Sequence, residues 1–524
     1  MSFLRGLRRQ ARVLGAGLST YAAHAAWCDG DEDEVRITNW SNTHSCAPLC
    51  VFTPESVAEV ERVVQAHHKC REPLRPCGST LSPNGVAFAV AGGSMLNLAL
   101  CDQILDVDVD KRTVRVQCGA RVEQVLDALA PYNLTLENLA SIAQQQIGGF
   151  VQVGAHGTGA SLPPCDEQVL ALKIVTPGRG TIDVSPDDAD GGKLFRMCRV
   201  GLGACGVAVE ATMRCVPKHL LREHTSVLTR AEAVSRHAEI LQNNRHARFM
   251  WIPYADAVVC VTNNPTLPPP LGEGQGAGPT MPESERVAPL RELLERCTGV
   301  AVDPGQNFAQ LRDALLAHAP LDLEHVKRTN RSEAEFWRRS QGFNVADSSK
   351  KLNFECGGEQ WVNECAFEVG TYARPSGADM RYMADLLAMI EKHDIPAPAP
   401  IEQRWSSSST SDMSPAFNNV DKTALHTWVG IIMYLPTEDP VQRSAITKAF
   451  EGYKKLCEHG LWPRYRAVEH WAKIERPADE DEAKVSRDRL AARFDVKSFA
   501  ATRALLDPHA ILSNELLDAV LPRH

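Results

Sequence analysis

The chain has 524 residues, 44% of them hydrophobic, which suits roughly two to four folded domains. Its 56 basic and 65 acidic residues give a formal net charge of -9, so the clustered basic excess that binds nucleic-acid phosphates is missing. The 16 cysteines are scattered without the paired spacing of a zinc site, so we expect reduced thiols and no metal. A small-molecule substrate or a protein partner is favoured over nucleic acid.

The N-terminal segment carries no acidic residue before Asp29. Its arginines alternate with leucines at roughly helical spacing and are Arg5, Arg8, Arg9 and Arg12. This pattern is typical of a mitochondrial presequence, which we predict over residues 1–27, with association to the inner membrane as a further expectation. The alternative is a basic helix that stays attached. Because no apolar run of about 18 residues follows, no transmembrane span is predicted.

The first predicted regular element is a helix. Thr53 offers a capping hydroxyl, Pro54 suits the first helical position, and valines then recur at helical spacing to about His68. Residues 78–85 contain too many glycines, serines and prolines for a regular element, so they are predicted to form a loop.

Strands and helices then follow in short alternation. Alternating apolar residues predict a strand pair over residues 104–110 and 114–116, and valine and leucine spacing predicts a helix over 122–129. Residues 169–175 are typical of a buried strand. The proline-rich and glycine-rich residues 265–282 are predicted to form a surface insertion.

Residues 201–206 fit the spacing G-x-G-x-x-G of nicotinamide-cofactor sites. That fingerprint needs a strand before the glycines and a helix after them. Here a helical stretch, 194–197, precedes the glycines, and a strand-like stretch, 207–213, follows. We therefore predict a tight turn between a helix and a strand.

Two other glycine-rich segments, residues 78–85 and 148–159, are better suited to hold a diphosphate. Glycines let backbone N–H groups converge on phosphate oxygens, and Ser79, Thr80 and Ser82 add hydroxyl donors. Either segment alone would also be explained by turn chemistry. The combination predicts a diphosphate clamp.

These segments also carry a resemblance to a known family. Residues 75–85, 141–159 and 201–207 resemble the FAD domain of the vanillyl-alcohol oxidase family, and the likeness extends over nearly the whole chain after residue 35. Within that family the chain is most similar to the aldonolactone oxidoreductases, which include galactonolactone dehydrogenases and arabinonolactone oxidases. The stretches that carry this narrower likeness are 249–254, 356–361, 402–405, 470–473, 506–508 and 512–514.

The resemblance implies an α+β fold. It consists of a two-subdomain FAD-binding domain of the vanillyl-alcohol oxidase (PCMH) type and an α+β substrate domain with a large antiparallel sheet. We expect the flavin domain to span residues 28–218 and the substrate domain 219–524. Residues from about 495 to 524 are expected to return to the flavin domain.

The resemblance also implies the residues that bind FAD. Relatives commonly carry a flavin-tethered histidine where Leu81 stands, so we predict non-covalently bound FAD. His156 is expected to donate a hydrogen bond near phosphate rather than to act as a base. The predicted cofactor-binding residues are Pro76, Gly78, Ser79, Thr80, Leu81, Ser82, Ala140, Ser141, Gly148, Gly149, Gly154, His156, Gly157, Thr158, Gly159, Gly206, Val207 and Asn514.

The predicted catalytic residues lie later in the chain. Glu402 and Arg404 are two positions apart, so on a strand their side chains share a face and can pair. Such a pair is most often a surface salt bridge. The resemblance instead implies that this pair contacts the lactone, and that Lys473 reaches the substrate as a cation or a base. The alternative for Lys473 is a solvated lysine.

The implied reaction is oxidation of an aldono-1,4-lactone at C2 to ascorbate or an ascorbate analogue. Ala140 stands where oxidases of the family commonly carry glycine, and its methyl group favours exclusion of oxygen from the flavin. This predicts a dehydrogenase that passes electrons to cytochrome c. Two alternatives stay open: a hydrogen-peroxide-forming oxidase, and a non-catalytic flavin-fold protein that binds a lactone.

Overall fold

The computed structural model describes residues 36–267, 278–279, 281–354 and 357–523. The predicted presequence over residues 1–27 and most of the predicted insertion over 265–282 lie outside the described residues. None of the helices in the described ranges is long and apolar enough to cross a membrane.

The first part of the chain forms several small sheets. Its strands are β1 (Ile37–Thr38), β2 (Ser45–Cys46), β3 (Val51–Phe52), β4 (Leu74–Cys77), β5 (Ser94–Asn97), β6 (Ile104–Asp108), β7 (Thr113–Gln117), β8 (Leu134–Thr135), β9 (Val169–Thr176), β10 (Gly180–Val184), β11 (Val207–Arg214) and β12 (Val216–Pro217). A parallel sheet has the order β3-β5-β4, and an antiparallel sheet has the order β10-β9-β11-β7-β6. The predicted strand pair is confirmed as β6 and β7.

The helices of this part are α1 (Val57–Cys70), α2 (Val122–Leu129), α3 (Ile147–Gln152) and α4 (Lys193–Arg199). The predicted N-cap of α1 was wrong, because the Ser56 side chain, not Thr53, accepts the backbone N–H of Glu59. Ser56 and Glu59 stand at capping-box spacing, which outweighs the Thr53-Pro54 signal. The predicted turn at residues 201–206 is confirmed, since it joins α4 to β11.

One predicted loop is partly helical. Gly148 and Gly149 lie in the first turn of α3 rather than in an irregular segment. The N–H groups of Ile147 and Gly148 donate to the carbonyls of Ala120 and Cys118, both at 2.8 Å. These tertiary hydrogen bonds override the weak helix propensity of glycine.

A single antiparallel sheet dominates the rest of the chain. Its strands are β13 (Leu220–Leu228), β14 (His246–Trp251), β15 (Val258–Thr266), β16 (Gly342–Asp347), β17 (Gln360–Thr371), β18 (Arg374–Pro375), β19 (Ile401–Ser407), β20 (Ala424–Tyr434) and β21 (Val468–Glu469). The order is β16-β13-β15-β14-β19-β20-β17-β18, with β21 also paired to β17. The predicted large antiparallel sheet is confirmed.

Helices cover both faces of this sheet. They are α5 (Arg230–Asn243), α6 (Glu283–Arg286), α7 (Ala288–Thr298), α8 (Phe308–His318), α9 (Leu323–Arg339), α10 (Ser348–Leu352), α11 (Ala378–Lys392), α12 (Pro440–Leu456) and α13 (Trp462–Tyr465). Successive residues of β14 separate the two faces: Phe249 packs in the core that contains Leu386 of α11, whereas Met250 packs with Ala334 of α9.

The last helices pack back against the first part of the chain. They are α14 (Glu480–Arg493), α15 (Val496–Leu506) and α16 (Glu515–Val520). Phe499 and Leu517 belong to the same buried cluster as residues of β7, β9 and β11. The buried Arg75 guanidinium joins this region to two loops, donating to the carbonyls of Val86, Leu202 and Leu512. The C-terminal helices therefore help to hold the loop at residues 78–85 in place.

Candidate active site

The first part of the site is a groove walled by backbone. The groove is lined by residues 75–82, by the start of α3 and by the turn before β11. The loop is fixed through its carbonyls: Trp40 donates its backbone N–H to Thr80, and the side chains of Asn39 and Asn97 donate to Ser82 and Gly78. Among the described residues, no acceptor pairs with the backbone N–H groups of residues 79–82.

Other unsatisfied groups line the same groove. A Cβ built on Gly149 would meet no atom within 4 Å, so the start of α3 is open to the groove. The buried Gln145 Oε1 has no hydrogen-bond partner in the described part of the chain. Converging amide donors beside open space suit an anionic diphosphate, and a buried amide oxygen suits a hydroxyl donor. The residues present therefore fit the diphosphate and sugar hydroxyls of FAD.

The groove continues into a larger cavity. The two cavities share Leu81, Ser82, Gln145 and Val153 in their walls. The floor of the larger cavity is one face of the nine-stranded sheet, from β14 across β19 and β20 to β17. A single ligand can thus extend from the backbone groove onto the sheet.

Three strands place two carboxylates side by side on this floor. Glu364 of β17 and Glu402 of β19 both pair with Gly430 of the intervening strand β20. A Cβ on Gly430 would lie at 3.9 Å from Glu364 Cγ, an ordinary contact. The missing side chain therefore leaves room for a ligand between the carboxylates without any strain in the sheet.

Glu364 is the centre of a buried charge cluster. Only 3% of it is exposed. Its Oε1 accepts hydrogen bonds from His156 Nε2 at 3.1 Å and Arg404 Nη2 at 3.2 Å, and its Oε2 lies 3.1 Å from Lys473 Nζ. Burial alone would raise the pKa of Glu364, but Lys473, His156 and Arg404 together hold it well below its ordinary value. Glu364 is therefore a buried anion bound by three side chains, two on Oε1 and one on Oε2.

Glu402 is less confined. Its carboxylate lies 3.4 Å from Arg404 Nη2 and 3.7 Å from Arg248 Nη1, and a quarter of its side chain is exposed. The Arg248 guanidinium also stacks 3.9 Å above the Phe354 ring. Arg404 therefore bridges two carboxylates, one buried among three partners and one a quarter exposed, which is more accessible to a proton or a hydrogen-bond donor.

Two histidines border the cluster as neutral groups. His156 stacks on Trp428 with ring centroids 3.8 Å apart, and burial, followed by Arg404, lowers its pKa to about 4. His470 Nδ1 accepts the backbone N–H of Ala472 at 3.0 Å, and burial and Lys473 lower its pKa well below the ordinary value. A backbone N–H can only donate, so the proton of His470 resides on Nε2.

His156, Glu364 and His470 lie close enough together to suggest a metal site, with candidate ligand atoms within 4.8 Å of one another. However, Glu364 already pairs with two cationic side chains and a histidine. A metal ion there would have to displace both cations or be repelled by them. The cluster therefore favours anion-compensating side chains over a metal.

The structure brings the predicted catalytic residues Glu402, Arg404 and Lys473 into one cavity. Most of the predicted cofactor residues also line the two cavities, namely Pro76, Gly78, Ser79, Thr80, Leu81, Ser82, Ala140, Ser141, Gly148, Gly149, His156, Gly206 and Val207. His156 lies at the charge cluster, not beside the groove as the phosphate-donor prediction requires. Its Nε2 hydrogen-bonds Glu364, and its role in cofactor binding stays a prediction.

The remaining predicted cofactor residues do not line either cavity. They are Gly154, Gly157, Thr158, Gly159 and Asn514. Thr158 hydrogen-bonds His246, and Asn514 donates to Gly85 and Phe88 while capping α16. A Cβ on Gly157 would lie 2.1 Å from Asn138 Oδ1, so glycine is required there by packing. These residues support the cavity walls from behind.

Sequence reasoning missed Glu364, Gly430 and Gln145. Glu364 stands in a strand of mostly buried residues, where an acidic side chain signals a partner of opposite charge. That signal could have identified a buried ion pair, but not its partners, which come from distant segments. Gly430 and Gln145 carry no comparable signal.

Comparisons with known proteins agree with this geometry. Residues 48–185 match the family described as FAD binding domain, and residues 211–520 match the family described as D-arabinono-1,4-lactone oxidase.

Several named proteins are similar over most of the chain. The mitochondrial L-galactono-1,4-lactone dehydrogenase of Brassica oleracea is 45% identical, covering 94% of this chain and 83% of that protein. A second, from Oryza sativa subsp. japonica, is 45% identical over 97% of this chain and 90% of its own length. The L-gulonolactone oxidase of Bos taurus is 26% identical over 93% and 98%.

Among solved structures, cholesterol oxidase from B. sterolicum matches with a TM-score of 0.73 and 15% identity, covering 93% of this chain and 96% of that one. At this identity the likeness concerns the fold alone. The predicted fold class, a two-subdomain flavin-binding part joined to a part with a large antiparallel sheet, is confirmed.

Proposed function

The chain belongs to the aldonolactone oxidoreductases, a family of FAD-dependent enzymes, and on this premise we propose that it oxidises an aldono-1,4-lactone at C2 to an ascorbate-type product. The observation that carries the proposal is the Glu402 and Arg404 pair, which lies in the cavity that continues from the backbone groove. The galactonolactone dehydrogenases at 45% identity support the substrate class.

FAD, when bound, supplies the acceptor for the two electrons and the hydrogen removed from the substrate carbon. The residues that would hold it are the loop 78–82 and the start of α3, with Ala140 and Ser141 in the wall of the larger cavity. Leu81 has no nucleophile, so we propose a dissociable cofactor. After acid precipitation the yellow flavin is then expected in the supernatant, and flavin retained in the pellet would contradict this.

The side chains on the sheet divide the remaining work. Arg404 would stabilise the negative charge that develops on the C2 oxygen as its proton leaves. Glu402 would accept that proton or orient the lactone hydroxyls, because Glu364 is bound by His156, Arg404 and Lys473, which hold its pKa well below the ordinary value and make it a poor proton acceptor. Lys473, held by Glu364, would present its ammonium group to a lactone oxygen.

The chain organisation is proposed as expected from the sequence: a flavin domain over residues 28–218 and a substrate domain over 219–524. The C-terminal residues from about 495 onward would belong structurally to the flavin domain. The packing of α15 and α16 in the core of the first part supports this division.

A mitochondrial address and cytochrome c as electron acceptor complete the proposal. The names of the plant relatives support the address. Ala140, nine-tenths buried in the cavity wall, supports exclusion of oxygen. Ala140→Gly is expected to speed reoxidation of the reduced enzyme by oxygen by about tenfold, or 1.4 kcal/mol of barrier. An unchanged rate in stopped-flow measurements would favour the peroxide-forming oxidase or another gate.

The proposed function is tested by mixing the purified enzyme with a lactone without oxygen. Galactonolactone, gulonolactone and arabinonolactone should each be tried, and at least one is expected to bleach the flavin absorbance. Addition of oxidised cytochrome c should then restore the yellow colour faster than oxygen does. A flavin that no lactone reduces would leave only a binding function.

A further inference from the structure

One cationic side chain at the charge cluster has no role in the proposed reaction. Arg248 of β14 pairs directly with Arg404 of β19, so two arginines stand opposite each other on adjacent strands of the cavity floor. Like charges in this register destabilise a sheet unless anions lie nearby. Glu402 lies near both guanidiniums and is one carboxylate for two cations.

The Arg248 guanidinium is held in the cavity wall without a hydrogen bond. Its Nη1 lies 3.7 Å from Glu402 Oε1, beyond hydrogen-bond distance, and the guanidinium stacks 3.9 Å from the centre of the Phe354 ring. The backbone N–H of Phe354 donates to the Ser141 carbonyl at 3.0 Å, which ties this ring to the wall. In the described parts of the chain, no acceptor binds the Arg248 guanidinium N–H groups, although the side chain is only 17% exposed. These donors are therefore available to a ligand.

A ligand can reach Arg248 and the catalytic carboxylate together. Arg248 faces Glu402 Oε1, whereas Arg404 lies 3.4 Å from Oε2, so two guanidiniums flank one carboxylate. A ligand oxygen that hydrogen-bonds Oε1 at about 2.8 Å lies within roughly 6.5 Å of Arg248 Nη1. A lactone-sized molecule can thus contact all three side chains without extending along the cavity.

The charges at this end of the cavity favour an anion. The cationic side chains that line it are Arg248, Arg404 and Lys473, and the acidic ones are Glu364 and Glu402. Three cations against two anions leave a net charge of +1, because the two histidines of the cluster are neutral. A partly buried site with net positive charge binds an anion more strongly than a neutral molecule of the same shape.

The substrate and the product of the proposed reaction differ in charge. An aldonolactone is neutral, whereas an ascorbate-type ene-diol is ionised at neutral pH because its negative charge is shared between conjugated oxygens. We propose that Arg248 is an anion-binding residue that donates, beside Arg404, to the ene-diolate oxygens of the product. The inference rests on the proposed lactone oxidation and adds a residue that distinguishes product from substrate by charge.

The test compares binding of the anionic product with use of the neutral lactone. Equilibrium dialysis of radiolabelled ascorbate against the oxidised, FAD-loaded enzyme without oxygen gives its Kd, and steady-state kinetics give KM for the lactone. In Arg248→Met the Kd for ascorbate should rise by about tenfold, as for a lost hydrogen bond to a charged group. KM for the neutral lactone should change by less than about threefold.

Further variants separate charge from packing. Arg248→Lys keeps the charge and should retain most of the affinity for ascorbate. Arg248→Gln removes the charge but keeps a donor, and it supplies the measurement if Arg248→Met does not fold. Arg222→Met is a matched control, because Arg222 of β13 stacks 3.8 Å from the Phe343 ring on the same sheet but does not line the cavity. Both constants should stay at their wild-type values in this control.

Three results would overturn the role of Arg248. They are an unchanged Kd for ascorbate in both neutral variants, equal losses for ascorbate and lactone, and a wild-type enzyme that does not bind ascorbate. If the wild-type flavin is reduced by no lactone, the proposed function itself fails instead.

Discussion

The two cavities of this protein are built from different materials. The groove is walled by backbone from short stretches of the first part of the chain, and its donors are amide groups. The larger cavity is floored by a sheet, and its charged side chains come from six separate segments. In the groove, substitutions that leave the backbone and the space beside it unchanged should preserve binding. Substitutions that fill this space should weaken binding. A side-chain site is sensitive to each charge.

The first prediction tests this difference between the cavities by removing one charged side chain from the sheet that floors the larger cavity. Glu364→Gln leaves Arg404 and Lys473 without their buried counter-ion, so the free energy of unfolding should fall by about 3 kcal/mol. The measurement is urea unfolding of the FAD-loaded enzyme at neutral pH. Glu335→Gln, an exposed acidic residue, is the control and should stay within about 0.5 kcal/mol. Wild-type stability in Glu364→Gln would mean that the cluster is not an ionic unit.

Removing the cation next to the substrate should affect catalysis without affecting the groove. Arg404→Ala is expected to lower turnover by at least about 100-fold, on the scale of losing one donor to a developing oxyanion. FAD affinity should stay close to that of the wild type. Arg338→Ala, an exposed arginine of α9, controls for loss of charge alone. Near-normal turnover in Arg404→Ala would exclude it from the proposed role.

A substitution in the groove should weaken FAD binding while leaving the charged side chains of the sheet unchanged. Gly149→Val places a side chain in open space beside the amides of the loop, so the Kd for FAD should rise by about 10- to 100-fold. Turnover per bound flavin should be nearly unchanged. Gly452→Val in α12 is a matched control, because that glycine also has open space around its Cβ but lies on the surface. Isothermal titration with FAD gives the comparison, and equal affinities would refute a diphosphate at this position.

The last prediction is a pH dependence of stability carried by a buried histidine of the sheet, His426. Burial, followed by Arg493, lowers the pKa of His426 to about 3. Between the ordinary histidine pKa and pH 3, His426 is protonated in the unfolded chain but neutral in the folded chain. The free energy of unfolding therefore falls as the pH decreases through this range. His426→Gln should reduce that slope by up to about 1.4 kcal/mol per pH unit. Urea unfolding from pH 6.5 to 4 tests this, with the exposed His393→Gln as control.

The contrast between the cavities also explains which features the sequence predicts. The groove depends on contiguous glycines and hydroxyl residues, so its loop could be located from local pattern. Glu402 and Arg404 were found because they share one strand. His156, one of the partners of Glu364, lies 208 positions earlier in the chain. The sequence around Glu364 therefore does not indicate which residues pair with it. Long-range pairing of this kind follows from sheet order and register, which no single stretch of sequence specifies.

Local sequence patterns also predicted the structure incorrectly where tertiary contacts determine it. Gly148 and Gly149 are helical because the carbonyls of Ala120 and Cys118, just after β7, accept the N–H groups of Ile147 and Gly148. His156 points to a carboxylate rather than to the groove. Most residues that the resemblance named line one of the two cavities, but their contacts differ from those expected. Gly157 and Asn514, for example, maintain the walls through packing and capping rather than by lining a cavity.

The packing of the final helices has a consequence for biosynthesis. Leu490, Phe499, Leu506 and Leu517 complete a core whose other members lie mainly in the first 215 residues. While the ribosome is still translating the sheet, that core lacks these side chains and exposes apolar surface. The core of the N-terminal part therefore stays incomplete until residues 490–517 have been synthesised. Because Arg75 at the flavin loop also binds the Leu512 carbonyl, we expect stable flavin binding only after that point.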